Sequence, residues 1–275
     1  MNIAVFGMGI IGSVWSSNLQ ADGHRVLRWN RTPKPVADYV SSAHDAAERS
    51  ELLIIVVADP AAVQSVLDQI LPVLKASHVV VQSSTVSPEA STSFAAQVER
   101  TGAAFLEAPF TGSKPAAEQR KTVFFIGGAP EVMERARPVL QPLCAAMEYI
   151  GTIGSASALK LAMNVNVALV VEALCESLSL ARAAGISDER YFSILKLNTS
   201  HTKLADLKKE KLEKNDFTPQ FSIKHMAKDL KLALGTAESL NLPQTSALLG
   251  LYERGISRGW AEDDFVSLVR LLTKE

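Results

Sequence analysis

Short apolar runs alternate with longer mixed stretches through the first half of the chain, and the alternation predicts strands and helices in turn. Residues 3–6, 25–30, 52–57, 78–81, 103–107 and 123–126 read as strands, with a last short one near Glu148-Tyr149-Ile150. The run 52–57 is apolar throughout, which marks a strand buried on both faces. Helices are predicted over 13–20, 61–74, 88–101 and 130–145, with Asp59 before Pro60 and Ser87 before Pro88 as caps. Regular strand–helix alternation implies an α/β arrangement, a mostly parallel, doubly wound sheet.

The pattern changes after Gly151. From Ser155 to Gly185 neither Gly nor Pro interrupts, and one helix of about 30 residues, around 45 Å long, is predicted. It is apolar nearly all round from Leu159 to Leu180, so it needs cover on more than one side, part of it from a second copy of the chain. Further helices are predicted over 187–197, 203–211, 223–240, 244–258 and 263–274, with breaks at Thr218-Pro219 and Leu242-Pro243. The expected organisation is a sheet domain over 1–152 and an all-α domain over 153–275, built on the long helix.

The first strand runs into Gly7-Met8-Gly9-Ile10-Ile11-Gly12, which has G-x-G-x-x-G spacing and leads directly into a helix. In that setting the glycines permit a tight turn, contact between a pyrophosphate and the backbone, and close helix-on-strand packing. The helix N-terminus offers free N–H groups and partial positive charge to the phosphates. The sheet domain is therefore a dinucleotide-binding, Rossmann-type domain. An NAD-preferring site carries an acidic residue at the end of the second strand for the ribose 2′-OH. Here the strand ends Asn30-Arg31-Thr32, with no carboxylate to repel a 2′-phosphate and an arginine able to pair with one, so NADP(H) is the expected cofactor. The backbone of Val57-Ala58-Asp59, at the carboxyl end of the third strand, should lie beside it, with Asp59 acting first as a cap.

Composition narrows the function classes. The chain has 275 residues, 47% of them hydrophobic, and a net charge of -1, so it has no basic excess for a nucleic-acid backbone. Cys144 and Cys175 have apolar neighbours and no metal-like spacing, which indicates buried free thiols and no metal site. The absence of a basic-then-apolar leader, and an apolar run over 161–174 too short to span a bilayer, point to a soluble, cytoplasmic protein.

A nicotinamide reaction at a carbonyl needs a proton donor. Lys160 and Asn164 are four residues apart on the long helix and share a face in an apolar stretch. Burial would lower the lysine pKa and suit it to proton transfer near neutrality. On periodicity alone, the same lysine could equally reach solvent near the helix start. Glu172 and Glu176 form a second i, i+4 pair, read as a polar patch at a helix interface. Lys228 near a helix start opposes the dipole and implies an anionic or polar neighbour. Ser84 and Thr85 are left to face the ligand once Ser87 is assigned as a cap.

Six ordered motifs together resemble the β-hydroxyacid dehydrogenase family, with the greatest likeness to the glyoxylate/succinic semialdehyde reductases. They are Gly7-Met-Gly-Ile-Ile-Gly12, Asn30-Arg-Thr32, Ser84-Thr-Val-Ser-Pro88, Glu107-Ala-Pro-Phe-Thr-Gly-Ser-Lys114, Lys160-Leu-Ala-Met-Asn164 and Lys224-His-Met-Ala-Lys-Asp229, and the likeness covers essentially the whole chain. The resemblance implies that Lys160 protonates the carbonyl oxygen as hydride arrives from NADPH, with Asn164 holding the substrate. It places Thr111, Gly112 and Ser113 on the substrate carboxylate, Thr85 at the nicotinamide and substrate, and Lys228 on the cofactor. It also implies a small carboxylate-bearing aldehyde or hydroxy acid as substrate, and a homodimer or homotetramer.

The chain departs from that pattern at Gln82, where many relatives have Asp, and at Phe110, where Val is usual and a wider side chain would narrow the pocket. Arg120 and Lys121 in the loop after Ser113 depart as well. Other readings of the same residues are an NAD-dependent 3-hydroxyisobutyrate-type dehydrogenase, a protein that binds NADP without turnover, and an imine reductase, which the presence of Lys160 disfavours.

Overall fold

In the computed structural model, which describes residues 1–237 and 239–272, the chain divides into two units, Met1–Lys160 and Leu161–Glu275. The first is built on β1 (Asn2–Phe6), β2 (Arg25–Trp29), β3 (Leu52–Ile55), β4 (Val79–Gln82), β5 (Ala104–Glu107), β6 (Phe110–Thr111), β7 (Thr122–Gly127) and β8 (Cys144–Gly151). The strands lie in the order β2-β1-β3-β4-β5-β7, and β6 and β8 also pair with β7. Pairing is parallel from β2 to β5, β7 is antiparallel to β5 and β6, and β8 is parallel to β7.

Period-two alternation sorts the strand side chains onto two faces. Ile3, Val5, Leu52 and Ile54 enter one core with residues of α1 (Ile10–Ala21), α5 (Lys114–Glu118) and α6 (Pro130–Leu140). Ala4, Phe6, Leu53 and Ile55 enter a second core with residues of α2 (Ala43–Glu48), α3 (Pro60–Ile70) and α4 (Pro88–Glu99). Helices on both faces make the doubly wound, Rossmann-type sheet that the alternation predicts. Asp59 and Ser87 cap α3 and α4, accepting from the N–H groups of Ala62 at 2.7 Å and Ala90 at 3.2 Å.

The structure corrects several boundaries. The helix expected over 130–145 stops at Leu140, a 3-10 turn spans Gln141–Leu143, and Cys144 already belongs to β8. Pro138 and Pro142 lie in this stretch and cannot donate backbone hydrogen bonds to a longer helix. β8 is an eight-residue strand, much longer than the fragment expected near Tyr149. α2 was not anticipated, and the segment after Pro109, read as loop, contains β6 and α5.

The helical unit contains most of α7 (Ser155–Ala183), with α8 (Asp188–Leu195), α9 (Lys203–Lys214), α10 (Ile223–Thr236), α11 (Pro243–Ser257) and a closing 3-10 segment, Phe265–Leu271. That last segment replaces the α-helix expected over 263–274. Glu238, Thr273 and Lys274, parts of the expected helices, lie outside the described residues. Asp264 caps the segment through the Val266 N–H at 3.2 Å and also receives Lys208 Nζ at 2.7 Å in a buried ion pair. Val171, Leu174, Leu178, Leu230, Leu248 and Tyr252 form the centre of the unit's core.

α7 buries Leu161, Ala168, Val171, Leu174, Cys175 and Leu178. Met163 (41% exposed) and Leu180 (74%) remain open, so the cover expected on more than one side is not supplied within the single chain. By length and composition α7 is the one described helix apolar and long enough to cross a membrane. Its recurrence of buried positions every three to four residues accounts for that apolarity as core packing. Both cysteines are buried free thiols.

Glu172 sits half-buried on α7 with Oε1 unpaired, and burial, followed by the nearby Glu176 charge, pushes its carboxyl up to about 7. The folded state then holds a proton that the unfolded state gives up near the usual carboxylate pKa. Stability is therefore lost as pH rises from about 4.5 to about 7. Glu172→Gln is expected to remove that slope, leaving stability unchanged at pH 4 and raising it by roughly 1–2 kcal/mol at pH 8, after allowing for the group's partial exposure. Urea melts at the two pH values check this.

Candidate active site

The glycine turn after β1 is shaped by close approaches. Gly7 has φ +109, and a Cβ there would meet the Val56 carbonyl oxygen at 2.2 Å. A Cβ on Gly12 would meet the Gly7 carbonyl oxygen at 1.9 Å, so the start of α1 can lie directly on the turn. At Gly9 nothing lies within 4 Å of a Cβ, and the space beside that backbone is open. Gly9 is also the N-cap of α1, with no side-chain cap and no acidic residue in the first turn. Ile10 and Ile11 form that first turn, Ile10 exposed and Ile11 packed on the core. An uncapped helix start beside open backbone suits a phosphate group, and the turn fits a dinucleotide.

The end of β2 is tied to this turn. Asn30 Oδ1 accepts from the Met8 N–H at 3.0 Å, and Asn30 Nδ2 donates to the Thr32 carbonyl at 2.7 Å. Lys34 Nζ donates to the Met8 carbonyl at 2.6 Å. Arg31 and Thr32 are exposed on the same loop. Lys34 is a second cation at this edge that sequence reasoning missed. It stands beyond the motif, and only the fold carries it back to residue 8. No acidic residue occurs from Asn30 to Ala37.

At the ends of β3 and β4, buried Ser84 accepts from the Val57 N–H at 2.8 Å. Gln82 is fully buried, receives the Ser84 N–H on Oε1 and donates from Nε2 to the Ser84 carbonyl at 3.0 Å. The uncharged Gln82 thus closes a small ring that fixes Ser84 and, through it, the Val57 backbone. Ala58 is exposed, and Thr85 follows Ser84 in a partly exposed position.

Thr111, Gly112 and Ser113 lie where β6 passes into α5, with Gly112 at φ +120. Phe110 is partly buried, and its ring packs edge-on to Trp15 at 4.8 Å against the core. The two unusual basic residues of the loop also find places. Arg120 makes a two-pronged pair with Asp22 at 2.7 and 2.8 Å and donates to the Pro142 carbonyl at 2.9 Å. Lys121 donates to Gln119 Oε1 at 3.0 Å. Asn18 Nδ2 donates to the Ala117 carbonyl at 3.2 Å. The loop is braced to α1 from its far end.

In the helical unit, residues from two of the motifs meet. Asn164 is buried and donates through Nδ2 to Asp229 Oδ2 at 2.5 Å, and Lys228 Nζ pairs with Asp229 Oδ1 at 2.7 Å. Asp229 is the anionic neighbour that Lys228 required, and its bridging role was not read from the sequence. His225, one turn earlier on α10, bonds Ser222 Oγ at 2.8 Å, and burial depresses its pKa. Lys160 lies one turn before Asn164 on α7, partly exposed.

Comparison with known proteins supports the assignment of both halves. Residues 2–151 match the family described as the NAD binding domain of 6-phosphogluconate dehydrogenase. Residues 154–272 match that described as NAD-binding of NADP-dependent 3-hydroxyisobutyrate dehydrogenase. The chain is 31% identical to 2-hydroxy-3-oxopropionate reductase of Escherichia coli strain K12, over 99% of this chain and 97% of the relative. It is 29% identical to the chloroplastic glyoxylate/succinic semialdehyde reductase 2 of Arabidopsis thaliana, over 99% of this chain and 79% of the relative. Among solved structures, 3-hydroxyisobutyrate dehydrogenase of Mycobacterium tuberculosis with L-serine superposes at TM-score 0.89, with 26% identity and 99% of each chain covered.

Proposed function

The chain belongs to the β-hydroxyacid dehydrogenase family of NAD(P)-binding oxidoreductases, and on that premise we propose that it is an NADPH-dependent reductase of small aldehyde or keto acids. Glyoxylate and succinic semialdehyde represent the substrate class. The observation that carries the reading is the link through Asp229, which joins Asn164, one helical turn from Lys160, to Lys228.

The Gly7–Gly12 turn would hold the cofactor, whose chemistry there would be hydride transfer to the carbonyl carbon. The α1 N-terminus takes the pyrophosphate, and Arg31, Thr32 and Lys34 take the 2′-phosphate. Val57, Ala58 and Asp59 would border the cofactor, and the family resemblance assigns Lys228 to it as well. Thr111, Gly112 and Ser113 hold the substrate carboxylate through hydroxyl and backbone N–H groups, and Thr85 lies at the reacting end. Lys160 delivers its proton to the carbonyl oxygen, so that no free alkoxide accumulates. Asn164, its amide oriented by Asp229, hydrogen-bonds the substrate beside that lysine. The exposed apolar residues Met163 and Leu180 of α7 support a homodimer or homotetramer, and the two free thiols suit a reducing, cytoplasmic setting.

A panel of glyoxylate, succinic semialdehyde, 2-hydroxy-3-oxopropionate and 3-hydroxyisobutyrate, each with both nicotinamide cofactors, tests the reading. We expect the aldehydes with NADPH to give kcat/KM at least 100-fold above NADH. Preference for NAD with 3-hydroxyisobutyrate would overturn it in favour of the oxidative dehydrogenase. NADPH binding without turnover on any substrate would favour a non-catalytic protein.

A further inference from the structure

Glu107 closes β5, and its carboxylate is fully buried. Four donors converge on it from two helices. Oε1 accepts from the backbone N–H groups of Ala156 at 2.8 Å and Ser157 at 3.4 Å, in the first turn of α7. Oε2 accepts from Ser157 Oγ at 2.8 Å and from Ser91 Oγ of α4 at 2.6 Å. On the opposite side the carboxylate rests against Gly127 of β7, where a Cβ would come within 2.2 Å of Oε1. One side chain therefore satisfies orphan N–H groups at the start of α7, and the missing side chain at Gly127 makes room for it.

The placement matters because of what lies on either side. Four residues after Glu107 the chain reaches Thr111, the first of the residues assigned to the substrate carboxylate. Four residues after Ala156, and three after Ser157, α7 reaches Lys160, so all three lie on one helix face. We propose that Glu107 is a positioning residue, a buried clamp of fixed length that sets the axial position and rotation of the start of α7, and with it the place of Lys160 relative to the Thr111–Ser113 loop. It touches neither substrate nor cofactor. Its importance follows from the steep dependence of rate on alignment: displacement of a reacting group by about 1 Å costs on the order of 100-fold. The proposal rests on the reading of Lys160 as proton donor.

Reach and charge make different predictions. Glu107→Gln keeps the length of the side chain and an oxygen for the two backbone N–H groups, while the serine hydroxyls can turn to accept from its amide. We expect kcat within about 5-fold of wild type. Glu107→Asp keeps the charge but draws the carboxylate back by roughly 1.5 Å, and kcat should fall by about 100-fold, with the NADPH Kd from fluorescence titration unchanged. Gly127→Ala pushes the same carboxylate from the other side and should reproduce the fall. The Asp and Ala changes together should cost little more than either alone, because both act through one displacement.

Hydrogen exchange over residues 154–162 gives a readout that needs no turnover. Exchange should rise in Glu107→Asp and Gly127→Ala and stay near wild type in Glu107→Gln. Wild-type exchange in the Asp variant would overturn the clamp. Loss of kcat in the Gln variant matched by retention in the Asp variant would make charge, not reach, the operative property and would also overturn it. If Lys160→Ala keeps full turnover, the reading of the reaction fails instead, and the exchange measurements still decide the clamp.

Discussion

Lys160→Ala should lower kcat by roughly 100- to 10,000-fold while NADPH still binds, the range that a positioned general acid ordinarily contributes. Alanine is the strongest helix former, and Lys160 is partly exposed on α7, so the change removes the ammonium group without breaking the helix. Lys160→Arg sharpens the result. A guanidinium keeps the positive charge but holds its proton too tightly to pass it on near neutral pH. If proton delivery is the role, the arginine variant should be nearly as slow as the alanine variant. If the lysine only attracts a carboxylate, arginine should restore most of the rate and raise KM little. Steady-state rates with the preferred aldehyde, alongside fluorescence titration of NADPH, separate the outcomes. Turnover unchanged in both variants would remove Lys160 from the chemistry.

What the sequence revealed and what it concealed divide along a physical line. Strands buried on both faces, such as β3, and the strand–turn–helix around Gly7 are local patterns whose periodicity shows without knowledge of their neighbours. The same holds for α7, where a run free of Gly and Pro was enough. α5 was hidden because its five residues carry too little periodicity, and its supports, Asn18 and the Arg120–Asp22 pair, come from about a hundred residues away. β8 was underestimated because its burial does not alternate regularly along an edge of the sheet.

The candidate site shows the same division. Asn164 and Lys228 stood out as polar residues in awkward places. Asp229 and Glu107 looked like ordinary carboxylates, because the contacts that set them apart, from Asn164 to Asp229 and from Ser91 and Ala156 to Glu107, come from donors distant along the chain. Lys34 was missed for the same reason, since its partner is the Met8 carbonyl.

That last contact separates two variants at the edge of the cofactor site. Arg31→Ala should weaken NADPH by roughly 10- to 100-fold and NADH by less than about 2-fold, because a charge-assisted pair with the 2′-phosphate contributes on the order of 1.5–3 kcal/mol. Arg31 is exposed and lies outside the hydrogen bonds that hold the turn, so its loss leaves the turn intact. Lys34→Ala removes both a cation and the bond to Met8 and should weaken both cofactors, NADPH more. With both substitutions the NADPH preference should collapse. The wild-type preference should also fall as salt is raised from 0.05 to 0.5 M, since an exposed cation–phosphate attraction is screened over a few ångströms at the higher strength. Titrations of the two nucleotides against each variant at both salt concentrations make the check. Equal losses for NADPH and NADH in Arg31→Ala, or a preference indifferent to salt, would place the discrimination elsewhere than at the 2′-phosphate.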